Sequence, residues 1–272
     1  MNQIIGTSVS RKDGRAKVTG EATYGAEHQV EELVHGYLVT ATIANGIISN
    51  IDTSSAERAP GVIKVFTHKN PPEVFKPRND FINSKIYEAR LPLSDDRVHY
   101  AGQIVGLVVA DTFERARDAA AQVKIEYETQ PPQIDPKKAS YKKAPSFLGE
   151  DLEYQEGTFE TGDFSGSNTA ATVEATYTTE VELHAPMEPH ALVANWENKD
   201  SVTVYEPTQW VRGSQSTYAD LFGLPLDRVR IISPYIGGGF GSKAFPWPHG
   251  VLCVAAEEKF NVLSKWFSPV VK

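Results

Sequence analysis

Hydrophobic and β-branched residues form short clusters within the first 130 residues of the chain. Residues 34–43 (VHGYLVTATI), 47–51 and 62–67 have the composition of β-strands, and Asn45-Gly46 predicts a turn between the first two. Residues 104–110 (IVGLVVA) form a continuous apolar run, which is typical of a strand buried on both faces. These patterns predict a region rich in β-structure.

A helix is predicted directly after this apolar strand, in an alanine-rich stretch. Asp111 or Thr112 can cap it, and Glu114, three residues after Asp111, completes the pattern of a capping box. The helix is expected to end near Gln122, and residues 123–127 predict a further strand. Strand, helix and strand together predict a β-α-β unit.

Residues 131–168 interrupt the hydrophobic pattern. They contain several prolines, lysines and glycines and few side chains that could pack into a core, as in a long surface linker. The predicted organisation is therefore an N-terminal arm plus an α/β domain over residues 1–130, a linker over residues 131–168, and a second domain over residues 169–272.

Regular periodicity returns after the linker. Alternating polar and apolar residues predict strands at 172–178 and 201–205, and residues 228–233 predict a short buried strand. Residues 208–222 predict a helix, which Gly223 is expected to end. The second domain is therefore expected to mix strands with helices.

A glycine-rich loop, residues 235–243 (YIGGGFGSK), connects the last predicted strand to an apolar, helical run at 251–256. Glycine lets the backbone approach a ligand closely, so such a loop can direct several N–H groups at an anion. The loop is not a nucleotide P-loop, because Ser242 separates Gly241 from Lys243. Nor is it a dinucleotide fingerprint, because Ser242 occupies the position of the third glycine.

Composition disfavours several classes of function. The chain has 27 basic and 35 acidic residues, which argues against nucleic acid or an anionic membrane surface as a partner. The single cysteine, Cys253, excludes an internal disulfide and a multi-cysteine metal site, and its apolar neighbours predict a core residue. No secretory signal or membrane-spanning apolar run is visible, so we expect a cytoplasmic protein.

Three ordered motifs resemble one known family. Residues 237–243 are similar to the GGGFGxK loop of the molybdenum hydroxylases, the xanthine dehydrogenase and aldehyde oxidase family. Residues 206–209 (EPTQ) resemble the segment whose glutamine lies beside the metal, and residues 185–190 (APMEPH) resemble a third segment of the same subunit. Residues 14–129 resemble its hammerhead domain. The chain is therefore identified as the N-terminal part of the molybdopterin-binding large subunit.

The resemblance implies an α+β fold in which a hammerhead-like α/β domain precedes the first, incomplete part of a molybdopterin-binding α+β domain. It also implies a molybdenum ion that is held by the dithiolene of a pterin, with no protein ligand to the metal. The Gln209 side chain would donate its amide to the metal's oxo group. Gly238, Gly239, Phe240 and Gly241 would contact the cofactor through the backbone of the loop.

Three other positions allow more than one interpretation. Glu188 and His190 would share one face of a strand, where a proton relay or a metal pair is conceivable, and a packed turn beside the cofactor cavity is the alternative. Lys243 could neutralise a phosphate or could be an ordinary solvated lysine. Ala244 replaces a glutamate that the purine-oxidising members carry, which favours an aldehyde or another N-heterocycle over xanthine as substrate.

The implied activity is hydroxylation of aldehydes or N-heterocycles with water as the oxygen source. Because the chain lacks the cysteines of iron–sulfur clusters, 2Fe–2S and FAD are expected on partner subunits. The family's general-base glutamate lies near the far C-terminus of a longer subunit, and residues 257–272 no longer resemble the family. No catalytic residue is therefore expected in this chain, and we expect it to be inactive alone.

Two functional hypotheses follow from these expectations. In the first, the chain is one part of a split enzyme, and a separate chain supplies the C-terminal half of the molybdenum subunit. In the second, the chain is a non-catalytic remnant that acts only as a binding or interaction module. The intact glycine loop and Gln209 favour the first hypothesis, whereas the divergent C-terminal stretch favours the second.

Overall fold

The computed structural model describes residues 6–73, 90–135, 138, 161, 171, 173–258 and 263–267. Its strands are Leu33–Thr40 (β1), Gly46–Asp52 (β2), Val62–Thr67 (β3), Arg97–Val98 (β4), Ile104–Ala110 (β5), Lys124–Thr129 (β6), Val193–Asn198 (β7), Ser201–Tyr205 (β8), Val229–Ile232 (β9) and Leu263–Phe267 (β10). Its α-helices are Gly14–Thr19 (α1), Ser54–Glu57 (α2), Phe113–Ala120 (α3), Val211–Phe222 (α4) and Pro248–Glu258 (α5). Most of the predicted linker, residues 131–168, lies outside the described residues.

One seven-stranded sheet extends through both predicted domains, in the order β3-β5-β1-β10-β7-β8-β9. Strand β5 is antiparallel to β1 and β3, and β7 is antiparallel to β8. Strand β10 joins the two halves, because it pairs in parallel with β1 and antiparallel with β7. A smaller sheet contains β4, β2 and β6. The fold is α+β, as the resemblance implies.

The predicted strand-helix-strand unit is present, but its two strands lie in different sheets. Strand β5 belongs to the large sheet and is almost completely buried, whereas β6 belongs to the small sheet and is only partly covered. Thr112 is the N-cap of α3, since its side chain accepts a hydrogen bond from the backbone N–H of Arg115. Asp111 forms an ion pair with the Arg115 side chain instead.

The strand predicted at residues 172–178 is wrong for the part that the structure describes. Residues 173–183 have no regular secondary structure, and the side chains of Val173, Tyr177 and Val181 are each 89% exposed. Alternation produces a strand only where a neighbouring strand pairs with the backbone and covers the apolar side, and none of the described strands does so here. Strand β7, by contrast, was not predicted.

A single hydrophobic cluster connects the two halves of the large sheet. It combines residues of β1, β3 and β5 with residues of β7, β8, α4 and α5, including Leu38, Phe66, Leu107, Leu192, Val204, Leu221 and Leu252. Cys253 is fully buried in α5, which confirms its prediction as a core residue. Within the described part of the chain, no helix is long and apolar enough to cross a membrane.

The N-terminal arm packs against the second half of the chain. The His28 ring stacks on Tyr205 with 4.2 Å between ring centroids, and the Tyr24 ring lies 6.0 Å from Tyr235. A Cβ added to Gly25 would lie 2.7 Å from Cδ of Pro207, so backbone and proline are in direct contact. The arm therefore supports the region that contains the glycine loop.

We expect alanine at Gly250, in the first turn of α5, to destabilise the fold. A Cβ there would lie 2.4 Å from Oη of Tyr218 and 3.1 Å from Cδ2 of Leu192, and both side chains are fully buried. Overpacking of this kind costs about 1–3 kcal/mol, and the better helix propensity of alanine returns at most ~1 kcal/mol. Urea unfolding measures the net loss.

The control for this change is Gly14→Ala in α1. The nearest atom to a Cβ at Gly14 is Cβ of Arg11 at 3.5 Å, an ordinary contact, so this variant should be at least as stable as the parent chain. A Gly250→Ala chain as stable as Gly14→Ala would contradict the close packing of α5 against Tyr218.

Candidate functional site

The sheet topology brings the three motifs to one edge. Strands β8 and β9 are parallel neighbours, so both end at the same end of the sheet. The segments that follow them, residues 206–209 and 235–243, therefore begin close together. Strand β7 is antiparallel to β8, which places residues 185–190, before β7, at that same edge. In open sheets, ligands bind preferentially beyond the carboxyl ends of parallel strands.

Gln209 holds the C-terminal side of the glycine loop. Its Oε1 accepts hydrogen bonds from the backbone N–H groups of Gly241 (3.1 Å) and Lys243 (3.3 Å). The backbone N–H of Gln209 donates in turn to the carbonyl oxygen of Lys243 at 2.8 Å. Gln209 is exposed, and its Nε2 amide group has no acceptor among the described residues.

The tip of the loop contains backbone N–H groups without acceptors among the described residues. The N–H groups of Gly238, Gly239 and Phe240 have no acceptor within the part of the chain that the structure describes, whereas the N–H of Gly241 is engaged by Gln209. The Phe240 side chain is 72% exposed and its φ is 51°. The tip thus combines unpartnered donors with an exposed aromatic ring.

Two glycines of the loop lie in close contact with neighbouring side chains. A Cβ at Gly237 would lie 2.6 Å from Cβ of Glu188, and a Cβ at Gly239 would lie 2.6 Å from Cδ and Oε1 of Gln209. Real Cβ atoms do not approach other atoms this closely, so a neighbour would have to move. At Gly239 that neighbour is the flexible end of the Gln209 side chain, and any larger residue there would displace it.

Lys243 matches neither of the two interpretations that the sequence allows. Its side chain is 1% exposed, and Nζ lies 2.9 Å from Oε2 and 2.9 Å from the carbonyl oxygen of Glu188. Burial lowers the pKa of the ammonium group, and the Glu188 carboxylate counteracts this effect. Lys243 is thus neither solvated nor directed at a phosphate, because its Nζ is engaged inside the protein.

Glu188 and His190 make separate contacts. Glu188 binds Lys243 and accepts a hydrogen bond from the N–H of Gly237 at 2.7 Å. Nε2 of His190 lies 3.2 Å from the carbonyl oxygen of Ser242, and burial lowers the pKa of this imidazole. A neutral His190 donates to Ser242, so the packed-turn interpretation describes it best. The described residues contain no cluster of three His, Cys, Asp or Glu side chains suited to a metal ion.

Glu206 is a buried carboxyl group that the sequence did not distinguish from the rest of its motif. Oε1 accepts a hydrogen bond from Oη of Tyr218 at 3.1 Å, and Oε2 has no partner within the described residues. Burial raises the pKa of Glu206 to about 7, and burial lowers that of the nearby His249 to about 3. Both groups line a cavity of about 10 Å³, and burial there favours the uncharged form of each.

Two family models match the chain. Residues 19–131 match the a/b hammerhead domain of aldehyde oxidase and xanthine dehydrogenase, and residues 148–269 match the molybdopterin cofactor-binding domain. The second match includes most of residues 257–272, so the expectation that this stretch no longer resembles the family is wrong. In the structure, the stretch contributes β10, the strand that joins the two halves of the large sheet.

Individual relatives agree with these matches. The chain is 36% identical over 247 residues to the molybdenum-binding subunit PaoC of an Escherichia coli K12 aldehyde oxidoreductase, covering 89% of this chain and 32% of that subunit. It is 28% identical over 243 residues to the large molybdopterin subunit of Eubacterium barkeri nicotinate dehydrogenase, covering 89% of this chain and 56% of that subunit.

A solved structure, reconstituted CO dehydrogenase from Oligotropha carboxidovorans, matches with a TM-score of 0.78 and 26% identity over 96% of this chain and 34% of that chain. The present chain thus spans about one third of the length of PaoC and of this enzyme chain. The motifs, the fold and the matches all indicate the same family. The chain belongs to the molybdenum hydroxylase family of aldehyde oxidases and xanthine dehydrogenases, and it corresponds to the N-terminal part of the molybdopterin-binding large subunit.

Proposed function

We propose that this chain forms part of the cofactor site of a molybdenum-dependent enzyme that hydroxylates aldehydes or N-heterocycles. The observation that carries the proposal is a group of neighbouring donors without partners among the described residues: Nε2 of Gln209 and the N–H groups of Gly238, Gly239 and Phe240. A pterin cofactor offers oxo, carbonyl and pyrophosphate oxygens, which are acceptors for such donors.

Each residue has a distinct part in this proposal. Gln209 donates from a neutral amide, which binds an oxo group without adding charge to the site. Gly238, Gly239 and Phe240 offer backbone N–H donors. At Gly238 and Gly239 no Cβ stands between the backbone and the ligand. The exposed Phe240 ring covers the apolar part of the ligand and excludes water. Gly241 acts indirectly, since its N–H fixes Oε1 of Gln209.

When bound, the cofactor supplies water-derived oxygen and accepts the two electrons that the substrate loses. The reaction also needs a base, and Glu188 is the carboxylate bonded to the loop. Its Oε2 is bound by Nζ of Lys243 and by the N–H of Gly237, so it is poorly suited to accept a proton. We propose that the base comes from outside these 272 residues and that the chain alone does not turn over substrate.

The proposal extends to partners and substrate. With one cysteine, the chain cannot hold a 2Fe–2S cluster, so iron–sulfur and FAD-containing subunits would carry the electrons away. The rest of the molybdenum subunit, of which this chain covers 32% in PaoC, would complete the cofactor site. Ala244, in place of glutamate, favours an aldehyde or N-heterocycle over xanthine.

The test is elemental analysis of the tagged chain, purified from its own host together with whatever co-purifies. We expect molybdenum close to one atom per chain, iron and flavin in the same complex, and oxidation of an aromatic aldehyde by a dye acceptor. The isolated 272-residue chain should show no turnover. Absence of molybdenum from a correctly folded sample would refute the cofactor assignment and leave a binding module. Turnover by the isolated chain would refute an external base.

A further inference from the structure

The ion pair between Glu188 and Lys243 has no part in the function proposed above, although it touches the glycine loop at two points. Oε2 of Glu188 lies 2.9 Å from Nζ of Lys243 and accepts the N–H of Gly237 at 2.7 Å. The N–H of Glu188 donates to the carbonyl oxygen of Gly237 at 3.1 Å. One residue thus binds both the beginning and the end of the loop.

Lys243 is also connected to Gln209 through its backbone. Its N–H donates to Oε1 of Gln209 at 3.3 Å, and its carbonyl oxygen accepts from the Gln209 N–H at 2.8 Å. Oγ1 of Thr208 donates to the same carbonyl oxygen at 3.3 Å. Because these bonds set the direction of the Gln209 amide, a shift of the Lys243 backbone would rotate Nε2 away from its present position.

Stability alone is a weak explanation for this ion pair. Moving two charges out of water costs roughly as much as their attraction returns, and apolar residues of equal volume often stabilise a protein as well or better. Here the side chains of Lys243 and Glu188 are 1% and 10% exposed, and Oε1 of Glu188 is buried without a donor among the described residues. A directional contact of this kind suits a group whose task is to fix one conformation.

We infer that Glu188 and Lys243 are positioning residues that hold the glycine loop at both ends. By doing so they keep Nε2 of Gln209 and the N–H groups of Gly239 and Phe240 directed toward a common ligand. The consequence for turnover rests on the proposed function. The consequence for the loop itself does not, because the contacts lie entirely within this chain.

The test uses the full chain, with its co-purifying partners, in four forms: Lys243→Met, Glu188→Gln, the double variant, and Arg115→Met as control. Hydrogen exchange is followed in peptides that cover residues 206–210 and 235–244. Lys243→Met leaves a buried carboxylate without its cation, so exchange in both peptides should become about tenfold faster while α3 is unchanged. Arg115→Met breaks the ion pair with Asp111 on the exposed side of α3 and should leave both peptides unaffected.

The double variant distinguishes positioning from bulk stability. It removes both charges, yet glutamine at position 188 can still accept the N–H of Gly237, so exchange should return to within about threefold of the parent chain. In the assembled enzyme, kcat should fall in Lys243→Met with little change in KM and should recover in the double variant. The inference would be overturned if exchange rose throughout the chain, or if the two peptides exchanged as fast in the double variant as in Lys243→Met. If the complex contains no molybdenum, the proposed function fails, and the exchange comparison still decides the positioning role.

Discussion

Alanine in place of Gly239 is expected to lower turnover of the assembled enzyme about 100-fold, because catalytic groups displaced by ~1 Å lose roughly that factor. The added Cβ would lie 2.6 Å from Cδ and Oε1 of Gln209, so this side chain must move. When it moves, Oε1 loses the N–H groups of Gly241 and Lys243, and Nε2 loses its fixed direction. The measurement is kcat with an aldehyde and a dye acceptor.

The fold should tolerate the same change. Gly239 does not have a positive φ, so its backbone conformation accepts alanine, and Gln209 is exposed and can move into solvent. Gly239 itself is buried, but the atoms that obstruct its Cβ belong to the end of the flexible Gln209 side chain, so we expect a loss of unfolding free energy of only about 1 kcal/mol, the low end for overpacking. Gly14→Ala is again the matched control and should keep the parental kcat and at least the parental stability. A Gly239→Ala enzyme with parental kcat would contradict the position assigned to Gln209.

The glycine loop shows what the sequence could reveal about the site. Four glycines within five positions are a local signal, and two of the three motifs follow predicted strands that are present as β8 and β9. Once those strands are parallel neighbours, the motifs they carry must meet. Gly223 was likewise predicted to end a helix, and it adopts φ 65° at the end of α4.

Lys243 shows what the sequence could not reveal. Its counter-ion, Glu188, is 55 positions earlier in the chain, and no local pattern connects the two. Burial of Lys243 depends on how the segment before β7 packs against the loop, which is a tertiary property. The same reason explains why the strand predicted at residues 172–178 is wrong. The alternation is present in the sequence, but no described strand pairs with these residues.

Long-range pairing also decides how the two predicted domains relate. Strand β10 lies between β1 and β7 and joins their two groups of strands into one sheet. It is more than 200 positions from β1 along the chain. The arm that contains Tyr24 and His28 packs against Tyr235 and Tyr205, although the sequence grouped it with the first domain. Composition and periodicity identify elements, but they contain no information on which distant elements become neighbours.

The second large effect concerns Glu206, whose replacement by glutamine is expected to change how stability depends on pH. Burial raises the pKa of this carboxyl group from its ordinary value of 4.5 to about 7, so the folded chain binds the proton more tightly than the unfolded chain does. Its contribution is therefore fully favourable below pH 4.5 and is lost as the pH rises to about 7. At about 1.4 kcal/mol per pH unit, the loss amounts to roughly 3 kcal/mol.

Glutamine at position 206 keeps the hydrogen bond with Tyr218 and removes the group that titrates. Its amide oxygen can still accept the hydroxyl of Tyr218, and its amide nitrogen takes the place of Oε2, which has no partner within the described residues. At pH 5 the two chains should have similar unfolding free energies. At pH 8 the Glu206→Gln chain should be the more stable by up to ~3 kcal/mol, because the parent must then either bury a charge or unfold.

Urea unfolding at several pH values between 5 and 8 measures this difference directly. Other groups that titrate in the range contribute equally to both chains and cancel in the comparison. Glu126→Gln, at an exposed position of β6, serves as control and should leave the pH dependence unchanged. If Glu206→Gln retained the parental slope, or were less stable at pH 8, then Glu206 would have to be ionised and compensated in the folded state. The interior behind Gln209 would then carry a negative charge in the folded chain at neutral pH.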